Sequence, residues 1–100
     1  MENSINEIPP DYKQDVEKAV KILKNVGCKE VYLFGSLAEG NIREESDIDI
    51  AVKGCPAGMF FHALGRLMLE LEHLIDLIDL DSDDNFSRYL EQEGTLIHVA

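Results

Sequence analysis

Val31 to Val52 reads VYLFGSLAEGNIREESDIDIAV: an apolar run ending in Gly35-Ser36, a polar loop, then two aspartates alternating with isoleucines. If the last part is a β-strand, Asp47 and Asp49 lie on one face, because strand side chains repeat every second residue. Ile48, Ile50 and Val52 then point the other way, into a core. Two carboxylates two residues apart, roughly 7 Å at ~3.3 Å per residue, can converge on divalent cations and through them on phosphate. Gly35-Ser36 supplies small residues where a phosphate could approach backbone N–H groups.

Working outward from this stretch, Asp11 to Val26 sets Tyr12, Val16, Ala19, Val20, Leu23 and Val26 at helical spacing, and Gly27 is a natural C-terminal stop. Glu30 to Phe34 is a short β-branched and aromatic strand, and Ser36 to Glu39 a helical turn. Asp47 to Lys53 is the second strand. After the connection Gly54–Gly58, the residues Phe60, Leu64, Leu67 and Leu71 repeat as a helix stripe. The segment LIDLIDL, Leu74 to Leu80, fits either a continued helix or a buried strand. The strand is favoured, because a compact α/β chain with two strands needs another to make a sheet. Ser82, Asp83 and Asp84 offer caps for a last helix carrying Phe86, Tyr89 and Leu90, and Thr95 to Val99 is a candidate terminal strand. The expected fold is therefore α/β (α+β), a small mixed sheet of three to four strands flanked by helices in the order α-β-α-β-α-β-α.

One hundred residues at 45% hydrophobic content fit a single domain over 1–100, with 1–10 expected to be flexible. The net charge of −11 opposes sequence-independent attraction to nucleic acid, which is not expected as a partner. No run reaches the ~18 apolar residues a membrane span requires, and the N-terminus lacks the pattern of a secretory signal, so a cytoplasmic location is expected. Cys28 and Cys55 stand 27 positions apart without CxxC spacing, and are expected to be reduced, structurally unremarkable thiols. The run Asp81–Asn85 resembles a calcium loop at first sight, but Phe86 stands where that loop needs glycine, so a capped helix start is the better reading. His62, His73 and His98 lack mutual metal spacing.

Counting through the central loop gives Gly35-Ser36, ten residues, then Asp47-Ile48-Asp49. This signature, with the element order around it, resembles the nucleotidyltransferase superfamily that includes DNA polymerase beta. It is most similar to the minimal, roughly 100-residue branch of antitoxin type paired with HEPN proteins. The resemblance implies that Gly35 and Ser36, with Ser46 beside the first acid, hold a nucleoside triphosphate, ATP or another NTP. It implies that Asp47 and Asp49 ligate two Mg²⁺ ions, and that a third acid on the next strand completes the catalytic and metal-binding set. Aligning LIDLIDLD with the family's pattern puts that acid at Asp76, with Asp79 the competing assignment.

The implied reaction moves AMP, or another nucleotide, from the triphosphate to a hydroxyl, with pyrophosphate leaving. A chain this small has no acceptor-binding domain of its own, so the resemblance points to a partner protein, a HEPN-type toxin, with homo-oligomers also open. Relatives commonly carry basic residues in the Gly-Ser loop, whereas this chain has Leu37 and Glu39, leaving Arg43 and Lys53 as the nearest cations. That departure defines the alternative: a binding module of weak or no catalytic activity that neutralises its partner by occlusion.

Overall fold

The computed structural model describes residues 8–40, 47–82, 84–92 and 94–100. In chain order the elements are α1 (Pro10–Val26), β1 (Glu30–Leu33), α2 (Ser36–Glu39), β2 (Ile48–Lys53), α3 (Phe60–Glu70), β3 (Ile75–Asp79), α4 (Asn85–Gln92) and β4 (Ile97–His98). The expected order holds, including LIDLIDL as a strand and the short fourth strand. Residues 1–7 of the segment expected to be flexible lie outside the described residues. Ile8, however, is buried and Pro10 already opens α1, so regular packing begins earlier than expected.

Local chemistry explains where the elements start and stop. Pro10 sits in the first turn of α1, where a missing N–H costs nothing. Gly27 ends the helix at φ +113°, donating its N–H to the carbonyls of Leu23 and Lys24. A side chain there would be strained, and its Cβ would also press on Pro56. α4 begins at a cap: Asp84 Oδ1 accepts the Ser87 N–H at 2.8 Å, as the acidic run suggested.

The four strands form one mixed sheet in the order β3-β2-β1-β4. β1 runs antiparallel to both β2 and β4, while β2 and β3 are parallel and joined by the α3 crossover. One face carries Val31, Leu33, Ile48, Ile50, Val52 and Leu77 into a core with α1, α2 and α3. Leu37 of α2 is among these buried residues, so this loop position helps fill the core. Residues such as Ile50 and Leu33 are wholly buried, each contributing about 1.5–3 kcal/mol. The opposite face is covered over part of its area by α4, whose Leu90 packs with Phe34, Ala51 and Leu80.

Two features join distant parts of the chain. Asp15, buried on α1, accepts three hydrogen bonds on Oδ2 from the turn before β3: Glu72 N at 2.9 Å, His73 N at 2.8 Å and His73 Nδ1 at 2.7 Å. Burial works against its charge, but these bonds together outweigh burial and hold the Asp15 carboxyl below the usual range. The His73 ring also stacks on Tyr12, with centroids 3.9 Å apart.

The second feature corrects the reading of the cysteines. Cys28 and Cys55 are joined as a disulfide. Their proximity follows from the β1–β2 pairing: Glu30 lies opposite Lys53, and two steps beyond that pair Cys28 meets Cys55, with Cα atoms 3.8 Å apart. Sequence spacing could not show this, since the contact depends on register.

Candidate active site

β1 and β2 together position the loop that carries Gly35. Past the end of β1, the Phe34 N–H still reaches the Asp49 carbonyl at 3.1 Å, and the chain then turns at Gly35 with φ +68°. The Gly35 carbonyl accepts the N–H groups of Ala38 (3.1 Å) and Glu39 (3.0 Å), which winds α2. The N–H groups of Ser36 and Leu37 precede these helical bonds, as the first donors of any helix do. The Asp49 carboxylate fills the space beside Gly35: a Cβ there would collide with its Oδ2. Glycine is thus required twice, for its backbone conformation and for the close approach of a carboxylate.

The parallel pairing sets Asp76 directly opposite Asp49. Both point to the face away from the α1–α3 core, because Ile48, Ile50 and Leu77 occupy the other side. Asp47 stands one residue ahead of β2 and is exposed. Burial first, then the negative charges of Asp76 and Asp47, push the half-buried Asp49 carboxyl up to about 6. Asp49 therefore lies beside Gly35 in the field of two further carboxylates.

The structure separates the two candidates for the third acid. Asp79 lies three residues beyond Asp76, on the opposite side of an alternating strand, and its Oδ1 accepts the Asp81 N–H at 2.9 Å. Asp76, opposite Asp49, is the one brought to the cluster. Ser46 and Arg43 lie outside the described residues. Lys53 is drawn to Glu91 at 2.5 Å, at the far end of β2 from Asp49. Glu39, at the end of α2, is exposed.

Among the described residues, no three His, Cys, Asp or Glu side chains are already drawn into a metal-ligand set. The donor chemistry still suits Mg²⁺, which takes one or two carboxylates and completes its shell with water and substrate phosphates. The Gly35 turn leaves Asp49 without a neighbouring Cβ on that side. Asp15 escaped sequence reasoning, although a carboxylate adjoining the apolar stripe of α1 was a visible signal. It supports β3, and hence Asp76, from behind.

A family model described as "Polymerase beta, Nucleotidyltransferase" matches residues 17–99. No curated protein matches the chain. Among solved structures, the chain is similar to one in a toxin–antitoxin crystal structure with AMP-PNP, at 28% identity and a TM-score of 0.63, covering 80% of this chain and 69% of that one. It is also similar to a chain in a complex of a tri-AMPylated Shewanella oneidensis HEPN toxin with an MNT antitoxin: 27% identity, TM-score 0.53, 72% of this chain and 58% of that one. A mutant of the toxin–antitoxin containing MntA matches at 27% identity and TM-score 0.61, over 82% and 70% of the two chains. With the Gly-Ser turn set against paired strand aspartates, the family-model match across most of its length shows that this chain belongs to the polymerase beta nucleotidyltransferase family.

Proposed function

We propose that this chain is a Mg²⁺-dependent nucleotidyltransferase that moves AMP, or another nucleoside monophosphate, from a nucleoside triphosphate to a hydroxyl on a partner protein. The observation that carries the reading is the seating of the Asp49 carboxylate against Gly35, with Asp76 across the strand pair. Gly35 and Ser36, with Ser46 by the family pattern, hold the triphosphate through backbone N–H groups and hydroxyls. Asp47, Asp49 and Asp76 are the residues that would hold Mg²⁺. Two bound ions would supply the positive charge that this acidic site lacks and stabilise the entering and leaving oxygens.

The acceptor oxygen attacks the α-phosphorus, the bond to the bridging oxygen breaks, and pyrophosphate departs. Asp76 is exposed, and in this reading its carboxylate takes the hydroxyl proton or orients that hydroxyl. A HEPN-type toxin is the partner we infer, since two of the structural neighbours are toxin–antitoxin complexes and another contains an AMPylated HEPN toxin. This chain then acts as the antitoxin, in the cytoplasm. No described helix is long and apolar enough to cross a membrane.

Glu39 favours a second reading, binding without catalysis, because it adds exposed negative charge to the end of α2. Incubation with labelled ATP, Mg²⁺ and the co-encoded neighbouring protein separates the two. Label on the neighbour that disappears in Asp47→Asn and Asp49→Asn, with the complex still forming, supports transfer. Tight complex formation without label refutes transfer and leaves occlusion.

A further inference from the structure

β3 is an edge strand, and its outer side lacks a partner strand among the described residues. The Ile48 N–H reaches Leu74 O at 2.8 Å and the Leu80 N–H reaches Val52 O at 2.9 Å. By the two-residue period, Leu74, Asp76, Ile78 and Leu80 turn their backbone groups toward β2, while Ile75, Leu77 and Asp79 turn theirs outward. Of the outward groups, the Asp79 carbonyl already accepts Ser87 Oγ. A cavity of about 370 Å³ opens along this edge between α3 and α4, lined by Phe60, Phe61, Leu77, Ile78 and Phe86, with Asp79, Ser82 and Asp84 at its rim. A 150 Å³ apolar cavity is enough for a benzene ring. Phe61 is 79% exposed, Leu74 74% and Phe86 47%, so apolar surface continues beyond the cavity at both ends of a five-residue strand. A soluble edge of this kind normally carries its own protection.

We propose that the β3 edge and its cavity form the docking surface for the acceptor: an extended, basic segment of the partner that adds a strand to β3 and inserts one aromatic or large apolar anchor among Phe60, Phe61 and Phe86. Charge decides the occupant. A second copy would bring its own charge of −11 and another strand bearing Asp76 and Asp79 to this edge, so the two surfaces repel. Asp79, Asp84 and the net charge of −11 favour lysine or arginine beside the anchor instead. Main-chain hydrogen bonds to the outward groups of Ile75 and Leu77 supply affinity without sequence demands, and the cavity supplies selectivity.

As the acceptor surface of the proposed transferase, the dock rests on that reading and gives it a spacing. Asp76 and Asp79 are three residues apart along the strand, about 10 Å at ~3.3 Å each. The modified hydroxyl should therefore lie about three residues from the anchor.

The test uses end-blocked fluorescent nonapeptides carrying one phenylalanine, a tyrosine three residues away and lysine at alternate positions, with a glutamate version as control. Anisotropy should show the lysine peptide binding at least tenfold more tightly than its control, and Phe61→Glu should weaken it at least tenfold. Phe61 is a surface residue, so the fold should survive that change. The Ile75 and Leu77 amide protons should become protected from exchange on binding. Equal binding of the two peptides, indifference to Phe61→Glu, or self-association through Phe61 that excludes peptide overturns the dock. A label-transfer arm with ATP and Mg²⁺ distinguishes the two proposals. Binding that depends on Phe61 without labelled tyrosine refutes transfer and leaves the dock; labelling unaffected by Phe61→Glu refutes the dock and leaves transfer.

Discussion

Replacing Asp49 by asparagine should stabilise the protein while abolishing the proposed nucleotidyl transfer. The wild-type carboxyl is raised from 3.8 to about 6 in the folded state, by burial and by Asp76 and Asp47. Between those values the folded chain binds the proton more tightly than the unfolded one. Stability therefore falls as pH rises through this window and is lowest above it. A shift of about 2 units at 1.36 kcal/mol each gives an upper figure of about 3 kcal/mol. Asp49 is only half-buried, so solvent screening reduces the expected gain to ~1–2 kcal/mol at pH 7.5. For a domain of this size that corresponds to a rise in Tm of roughly 5–10 °C. Urea denaturation of both proteins without divalent metal, at pH 7.5 and pH 4, measures it. The gain should shrink toward zero at pH 4, where the wild-type carboxyl is already neutral in the fold. Mg²⁺ and ATP should stabilise the wild type, by about 2.7 kcal/mol at a hundredfold excess over Kd, and leave the variant unaffected. An asparagine variant no more stable at pH 7.5, or one whose advantage persists at pH 4, would refute the electrostatic account.

Three other perturbations probe different levels of the structure. Asp15→Ala should cost ~2–3 kcal/mol in urea denaturation, because it removes the buried carboxylate that accepts the part-buried Glu72 and His73 N–H groups; the Asp15 contribution is present above pH 3.8 and lost as pH falls through its lowered folded value. Gly35→Ala should abolish Mg²⁺-dependent ATP binding by calorimetry, through both its φ of +68° and the clash with Asp49; unchanged affinity would show that the turn does not approach the nucleotide. Reduction of Cys28–Cys55 should lower stability by ~3–4 kcal/mol, the loop-closure figure for a separation of 27 residues, read by denaturation with and without dithiothreitol.

The elements were largely legible because each carried its own local signal. Gly27 stopped α1, the Asp-x-Asp alternation gave β2 its faces, and Asp84 marked the start of α4. LIDLIDL was ambiguous in itself and became a strand only through the needs of a sheet. The family frame put the third acid at Asp76 rather than Asp79, but its place opposite Asp49 is a matter of β2–β3 register, which no local period contains. The disulfide was hidden for the same reason: Cys28 and Cys55 meet through β1–β2 register, 27 residues apart. On α1, Ile22 rather than Val20 or Val26 completes the buried stripe, a rotation of the helix that neighbouring elements decide. Leu37 reads as a departure from a basic loop, yet its burial shows the core claiming that position.

The anchor between Asp15 and the turn at Glu72–His73 sets where the domain can be cut. The family match begins at residue 17, so trimming to it would delete Tyr12 and Asp15, unstack the His73 ring and free the entry to β3. The shortest autonomous unit should therefore be longer than the stretch of family likeness, and its nearly two extra turns of helix are a buttress for the strand that bears Asp76.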